Sequence, residues 1–370
     1  MPVTRVTRPY AITMWEFSWI ERRWPGAGYE DWDQALDELV ERGYDAVRID
    51  AFPHLIGVDP NGSFIIESDG QDGDWGAPGD VEVARPGPAL VEFIGKCRDR
   101  GVMVGLSTWY KRDRDNVRMR IRNEADQARV WADTLRIVRD AGLLDAILYV
   151  DLCNEFPNAK WAPYLYGSDE APAELLTTPR LRKWMRDSIA LLRAEFGDLD
   201  YTYSQSSQFD LWPEQDVSML DFLEPHIWMN NPSCSSFNAE IGYSFRTREF
   251  QNFMTRSRPH YLANKPRFDA ALAEWIDKAA DWSKRTGKPL VTTESWAVIN
   301  YRDWPMADWG WVMDLCAEGV EQAAATGRWT AICTSNFCGP QYRGMWRDIG
   351  WHRRLTDIIK SSPLAAEFRK

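Results

Sequence analysis

The stretch AILYVDLCNE at residues 146–155 decides the fold, because an apolar run of strand character ends there in a carboxylate. A second run, PLVTTE at residues 289–294, ends in the same way. Short apolar runs bounded by turn signals are typical of parallel strands that are buried on both faces. An acid at the end of a buried strand is costly unless it is paired or does chemistry. Glu155 and Glu294 are therefore predicted to face one cleft.

Strand-like runs of this kind alternate with amphipathic helical patterns along the chain. The predicted strands are residues 10–15, 46–50, 102–107, 146–155, 201–204, 222–228, 290–294 and 329–335. The predicted helices are residues 31–42, 88–100, 123–140, 179–196, 268–286, 308–326 and 351–360. This repeat predicts an α/β fold, a (β/α)8 TIM barrel, as a single domain over residues 1–370. Long insertions after strands, at residues 52–88, 156–178 and 229–267, are predicted to wall the cleft.

Composition excludes several functional classes. The chain of 370 residues has 55 acidic and 44 basic side chains and no basic cluster, so nucleic acid is not an expected partner. No apolar run approaches the ~18 residues that cross a membrane. The first ten residues lack the apolar core of a signal peptide, and the six cysteines are scattered. These features predict a cytoplasmic protein with free thiols and with neither a cofactor nor a metal.

The chain contains 20 tryptophans, which is well above ordinary usage. Indole faces stack on the apolar faces of sugar rings, but a large barrel also buries tryptophan well. Most of them are expected to pack in the core, and a minority at strand ends are expected to contact substrate. The predicted substrate-binding members of this minority are Trp109, Trp228 and Trp296.

Four short motifs lie at the predicted strand ends: the dipeptide Asn154-Glu155, Glu294, His226, and Arg48 within Val47-Arg48-Ile49. Together they make the chain resemble the clan A glycoside hydrolases, in the neighbourhood of the family 5 cellulases and mannanases. The resemblance covers most of the barrel through a few short motifs. It implies that Glu155 is the acid/base and Glu294 the nucleophile. It also implies that Arg48 supports the nucleophile and that His226 belongs to the strand-six motif.

Three positions depart from the pattern of the resembled family. Trp228 stands where the family has a tyrosine, so the phenolic hydrogen bond to the nucleophile is absent. Strand three ends in Ser107-Thr108-Trp109, where the family often carries histidine. Strand eight ends in Ser335-Asn336-Phe337 and lacks the usual tryptophan, which Trp296 or Trp346 could replace. An ordinary cellulase subsite is therefore not expected.

The expected activity is retaining hydrolysis of β-linked oligosaccharides by two glutamates. Glu155 is expected to be protonated, and Glu294 to be held ionised by Arg48. Asn154 is expected to bind the sugar 2-hydroxyl.

His226 is expected to tune Glu155 or to bind a hydroxyl. Asp50 and Glu16 also follow strand ends, and they are weighed as hydroxyl binders and as structural acids. The lack of a signal peptide favours exo action or short substrates.

Two other classes stay open at this stage. A metal-dependent sugar isomerase or epimerase could use Glu155, His226 and Glu294 as three of about four ligands, although strand five ends without a carboxylate. A non-catalytic sugar-binding barrel would also suit the tryptophan content. The sugar, the choice between endo and exo action and the oligomeric state, including a homo-oligomer, are not determined by the sequence.

Overall fold

The computed structural model describes residues 3–67, 79–230, 236–244, 247–298, 303, 307–336 and 338–370. The strands within these residues are β1 (Tyr10–Glu16), β2 (Ala46–Asp50), β3 (Ser63–Ile66), β4 (Val81–Ala84), β5 (Met103–Ser107), β6 (Ile147–Asp151), β7 (Tyr201–Thr202), β8 (Leu290–Thr292) and β9 (Trp329–Cys333). The α-helices are α1 (Ser18–Glu21), α2 (Trp32–Glu41), α3 (Pro53–Ile56), α4 (Pro86–Asp99), α5 (Glu124–Asp140), α6 (Pro179–Arg193), α7 (Ser236–Ile241), α8 (Phe250–Ala263), α9 (Lys265–Thr286), α10 (Gly310–Ala325), α11 (Arg343–Trp346) and α12 (Ile349–Ser361).

Seven parallel strands form the main sheet in the order β7-β6-β5-β2-β1-β9-β8. The predicted sixth strand lies between β7 and β8 and pairs with both sides through isolated bridges. His226 donates its backbone N–H to the Gln205 carbonyl at 2.7 Å, and Val291 donates to the Leu223 carbonyl at 2.9 Å. These bonds close the curled sheet, which confirms the predicted (β/α)8 fold.

Local sequence signals set the helix ends that surround the barrel. Asp31 caps α2 by accepting the backbone N–H groups of Asp33 and Gln34. Gly287 ends α9 in the left-handed conformation at φ 69°, which a residue with a Cβ adopts less readily. The strands need equally close packing: a Cβ on Gly105 in β5 would lie 2.5 Å from the ring of Tyr149 in β6.

The insertions contain more structure than the sequence predicted. The segment expected to be a loop over residues 52–88 contains α3 and the antiparallel hairpin β3–β4. The insertion after the sixth strand contains α7 and α8, and α9 begins three residues earlier than expected. Residues 68–78, Cys234 and Phe337 lie outside the described residues. No helix in the described part of the chain is long and apolar enough to cross a bilayer.

Candidate active site

Glu155, His226 and Glu294 converge at the carboxyl ends of the strands. One nitrogen or oxygen from each lies within 4.8 Å of the others. His226 Nδ1 lies 3.2 Å from Glu155 Oε1 and 3.7 Å from Glu294 Oε2. The imidazole is fully buried, whereas the Glu155 side chain keeps 12% of its surface exposed. One ring nitrogen therefore faces both carboxylates, and Glu155 is the more accessible of the two.

Local backbone geometry turns Glu155 towards this cluster. Its φ of 49° lies in the left-handed region, which is uncommon for residues other than glycine. The backbone N–H of Glu155 donates to Ser204 Oγ at 2.9 Å, and Trp161 Nε1 donates to its Oε2 at 3.1 Å. Strain of this kind is concentrated at functional sites. Trp161 was not predicted, because nothing in the insertion marks it apart from the other tryptophans.

Arg48 in β2 ties the nucleophile candidate to the barrel. Its Nη1 donates to Glu294 Oε1 and to Thr293 Oγ1, each at 3.0 Å. Its Nη2 donates to Asp151 Oδ2 and to Asn154 Oδ1, each at 2.7 Å. The contact expected between Arg48 and Glu294 is thus present. The carbonyl oxygen of Asn154 is used here. Its buried Nδ2 has no hydrogen-bond partner among the described residues, so it is available to donate to a ligand.

Two further acids share the Arg48 guanidinium, and the sequence did not predict either role. Asp151 lies in β6 and also accepts from Ser204 Oγ at 2.8 Å. Glu224 Oε1 lies 3.7 Å from Arg48 Nε. Three buried carboxylates therefore surround one cation, so Arg48 neutralises Glu294 incompletely.

The two catalytic candidates have pKa values shifted in opposite directions. Burial raises the pKa of Glu294 to about 7; His226 and Arg48 oppose this rise, and the Glu155 charge adds to it. Burial also disfavours ionisation of Glu155, but the hydrogen bond and the charge of His226 outweigh it and lower that pKa. Burial disfavours the imidazolium, yet the charges of Glu294 and Glu155 raise the pKa of His226.

This order is the reverse of the one expected for a protonated Glu155 and an ionised Glu294. The cause is the position of His226, which ion-pairs more closely with Glu155. An arrangement with the shared proton on Glu155 nevertheless carries the same number of protons as one with it on Glu294. Such a pair titrates as a unit. His226 Nδ1 faces both carboxyls, at hydrogen-bond distance from Glu155 Oε1 and 3.7 Å from Glu294 Oε2.

The shared proton predicts that the pH profile depends on the leaving group. Below about pH 7 the pair keeps the proton, and above it the proton is lost. An oligosaccharide needs this proton on its leaving oxygen, so its kcat/KM should fall as the pH rises through about 7. A dinitrophenyl glycoside needs only ionised Glu294, so its kcat/KM should not fall there. Initial rates for both substrates across pH 4–9, a range of roughly five units around that pKa, check this.

Glu155→Gln is the control for that profile, because it removes the like charge that raises the pKa of Glu294. On the dinitrophenyl substrate, its activity should rise at a lower pH than in the wild type. Identical profiles in the two proteins would show that the carboxyls are not coupled.

Trp161→Phe should shift the acid limb of the same profile. The change removes the N–H donor to Glu155 Oε2, which helps to keep the pKa of Glu155 low. The pair then takes its second proton at a higher pH, so activity on oligosaccharide should disappear earlier on acidification. The rate at neutral pH should change by less than about tenfold, since one hydrogen bond is lost. An unmoved acid limb would show that Trp161 only packs.

Asp50 and Trp109 lie beside the cluster, where each has partners within the protein. Both Asp50 oxygens accept backbone N–H groups, from Phe52 at 2.7 Å and from Trp109 at 3.1 Å. This carboxylate therefore shapes the loop after β5 and does not present a free oxygen pair to substrate. The Trp109 ring lies over Arg48, with the guanidinium carbon 4.7 Å from its centroid. Trp109 thereby covers one face of the cation.

The other predicted aromatic residues separate into one at the site and two elsewhere. Trp228 is half-buried, and its ring centroid lies 6.4 Å from that of His226. Trp296 is fully buried, donates to the Cys333 carbonyl at 2.9 Å, and would clash with any Cβ on Gly319. Trp296 therefore packs against α10. Trp346 is also buried, and it donates to Glu38 on α2 at 2.6 Å.

The barrel has the fold of the glycoside hydrolases. The chain belongs to the sugar-binding cellulase-like family, whose sequence profile matches residues 12–360. No curated protein matches the chain.

Solved structures agree with the fold. A protein from Parabacteroides distasonis, provisionally described as a glycoside hydrolase, is 42% identical, with a TM-score of 0.93 over 98% of this chain and 96% of that one. The endo-β-1,4-mannanase from Thermotoga petrophila is 11% identical, with a TM-score of 0.57 over 98% and 79%. A family 5, subfamily 18 protein from Streptomyces cattleya in complex with GlcNAc is 12% identical, with a TM-score of 0.53 over 97% and 82%. The last two show the fold alone.

Proposed function

We propose that the protein is a retaining glycoside hydrolase that cleaves β-linked oligosaccharides through Glu294 and Glu155. The observation that carries the proposal is that one oxygen of each glutamate lies within 4.8 Å of the other and of His226. Retaining enzymes hold their carboxyl groups ~5–5.5 Å apart, whereas inverting enzymes need ~6.5–9.5 Å to admit water. The short separation supports the retaining mechanism.

The first step forms a covalent glycosyl-enzyme. With the shared proton on Glu155, the ionised Glu294 attacks the anomeric carbon. Glu155 gives its proton to the leaving oxygen as the glycosidic bond breaks. Arg48 holds the attacking carboxylate through its 3.0 Å contact with Oε1. The unpartnered Nδ2 of Asn154 is available for the sugar 2-hydroxyl, a contact that strengthens in the transition state.

The second step releases the sugar. Glu155, now ionised, takes a proton from water, and the water oxygen attacks the anomeric carbon. The ester to Glu294 breaks, and the carboxylate returns with the electron pair. Glu155 ends the cycle protonated, so protons balance over the turnover. Two inversions give net retention of configuration.

The substrate class is proposed to be β-linked and short or attacked from its end. The family description and the partly exposed Trp228 side chain near His226 support a sugar ligand. Efficient cleavage of an insoluble polymer, with little action on its di- and trisaccharides, would contradict the preference for short substrates.

A metal-dependent sugar isomerase is a second candidate, because Glu155, His226 and Glu294 could each give one ligand to a metal. Arg48 argues against it: its guanidinium lies 3.0 Å from Glu294 Oε1, where a second cation would be repelled. A chelator should abolish isomerase activity and leave glycosidase activity unchanged.

A screen of aryl α- and β-glycosides and β-linked oligosaccharides tests the proposal, with Glu294→Gln as the control. Turnover of a β-glycoside that the variant loses supports the proposal and identifies the sugar. Absence of turnover on every substrate would favour the sugar-binding barrel, and metal-stimulated interconversion of free sugars would favour the isomerase.

A further inference from the structure

Three neighbouring strands carry polar side chains along one arc of the rim. The sheet order places β9 between β8 and β1. Glu294 follows β8, Asn336 follows β9, and Glu16 is the last residue of β1. The strands are parallel, so these three positions lie at the same end of the barrel. The mechanism described above uses Glu294 and leaves Asn336 and Glu16 without a role.

Glu16 is a buried acid with an unused oxygen. The residue is 1% exposed; Oε1 accepts from the Ser18 hydroxyl, and Oε2 has no hydrogen-bond partner within the described part of the chain. Its φ of 34° lies in the left-handed region, where a glutamate is uncommon and costly to hold. A buried carboxyl oxygen without a partner is a further cost.

Asn336 repeats this pattern on the adjacent strand. The residue is 5% exposed, and its buried Oδ1 has no hydrogen-bond partner among the residues that the structure describes. Buried polar atoms in native proteins are nearly always paired, so each exception calls for an explanation. Glu16 Oε2 and Asn336 Oδ1 lie at the ends of neighbouring strands, on the arc that begins at Glu294. One polar ligand that pairs with both atoms would explain them together.

We propose that Glu16 and Asn336 form a wall that binds hydroxyls of the sugar whose anomeric carbon meets Glu294. This inference rests on the proposed function. Neighbouring strands lie ~4.8 Å apart, so a pyranose ring anchored over β8 extends its far side over the ends of β9 and β1. Glu16 and Asn336 would then read the hydroxyls opposite the anomeric carbon and determine which sugar is accepted.

The charge of the arc indicates a neutral sugar. Burial raises the pKa of Glu16 well above its usual value; Arg22 opposes this rise, and the charges of Glu21 and Glu294 add to it. A protonated carboxyl can both donate to and accept from a hydroxyl. A uronic acid would add a carboxylate to a region that already holds Glu16, Glu21 and Glu294, and the accumulated like charge disfavours it. We therefore expect selection of neutral glycosides over glycuronides.

Deoxy substrates test the wall. Aryl glycosides of the sugar found in the screen are compared with analogues that lack one ring hydroxyl each. In the wild type, one position opposite the anomeric carbon should cost about 10- to 100-fold in kcat/KM, the effect of one buried hydrogen bond. Glu16→Ala or Asn336→Ala should lower kcat/KM on the full sugar by a similar factor. On the deoxy analogue, kcat/KM of these variants should be little lower than that of the wild type. If the loss from the alanine substitution and the loss from the missing hydroxyl are fully additive, the proposal is wrong.

Two further variants serve as controls, one for a folding defect and one for a nonspecific effect of removing an acidic side chain. Glu16→Gln is nearly isosteric and should keep the melting temperature while it changes the deoxy pattern. Glu38→Gln removes a half-buried acid on α2, where it accepts from Trp346, and should leave both the pattern and the rate unchanged. If both wall variants lower the melting temperature and leave the deoxy pattern unchanged, the two residues are structural.

The possible outcomes distinguish a failure of the wall proposal from a failure of the proposed function. If turnover requires Glu294 but does not change in the Glu16 and Asn336 variants, the wall proposal is wrong and the proposed glycosidase function is retained. If the wild type turns over nothing, calorimetric titration with glucose, mannose, galactose, N-acetylglucosamine and glucuronate decides. If a neutral sugar binds and both alanine variants weaken its binding, the wall proposal is supported and the hydrolase function is not. Absence of binding, or preference for glucuronate, overturns it.

Discussion

Glu294→Ala is expected to reduce kcat by a factor of about 10⁴ or more on every glycoside, because no covalent intermediate can form without the nucleophile. The wild-type side chain is nearly buried and is held by Arg48, and the alanine offers no group that could replace it as the nucleophile. Added azide should restore turnover of a β-linked aryl glycoside and give the α-glycosyl azide, since the anion attacks once from the vacated side. Product analysis by NMR measures both the rate and the configuration.

The matched control for this prediction is Glu38→Gln, an acid on the outside of the barrel that should leave kcat unchanged. A Glu294→Ala protein that keeps its melting temperature and retains more than about one tenth of wild-type kcat would exclude Glu294 as the nucleophile.

Glu155→Ala is expected to separate substrates by their leaving groups. Oligosaccharide cleavage should fall by about 10²–10⁴-fold, because the leaving oxygen then departs without a proton. The first step on a dinitrophenyl glycoside should proceed at nearly the wild-type rate, since that group leaves unprotonated. Hydrolysis of the glycosyl-enzyme should become slow, so a burst of dinitrophenolate should precede a slow steady state. Stopped-flow absorbance measures both phases.

Azide serves as the internal control for Glu155→Ala. It needs no general base, so it should speed the steady state and give the β-glycosyl azide, the opposite configuration to the Glu294→Ala product. Equal losses on both substrate types, without a burst, would exclude Glu155 as the acid.

The barrel could be predicted because its strands are buried on both faces and therefore appear as continuous apolar runs. The sixth strand shows where this rule weakens. Pro225 interrupts the segment and has no N–H to donate, so the pairing there consists of isolated bridges rather than a continuous ladder. The hairpin β3–β4 was not predicted, because its strands are short and lie in a segment rich in glycine and aspartate.

The convergence of Glu155, Glu294, His226 and Arg48 could also be predicted, since the carboxyl ends of barrel strands meet at one rim. The partners around them could not. The roles of Asp151 and Glu224 depend on which side chains turn inward towards Arg48, and Trp161 depends on the path of an insertion.

Trp296 shows that the direction of a side chain just beyond a strand end cannot be predicted from the sequence. Its φ of 85° accompanies an indole that packs against α10 rather than at the site, and the sequence carries no signal for that turn. The location of the shared proton was equally hidden, because it depends on the 3.2 Å and 3.7 Å distances from His226 Nδ1.

The most direct test of the central claim is covalent trapping with a 2-deoxy-2-fluoro-β-glycoside that carries a dinitrophenyl leaving group, made from the sugar identified in the screen. The fluorine slows both steps, and the activated leaving group lets the first one proceed, so a retaining enzyme accumulates its glycosyl-enzyme. The account predicts one added fluorosugar per chain by intact mass, located on Glu294 by peptide mapping and absent in Glu294→Gln. A label on another residue, or β-glycoside turnover that inverts the anomeric centre without any label, would contradict it.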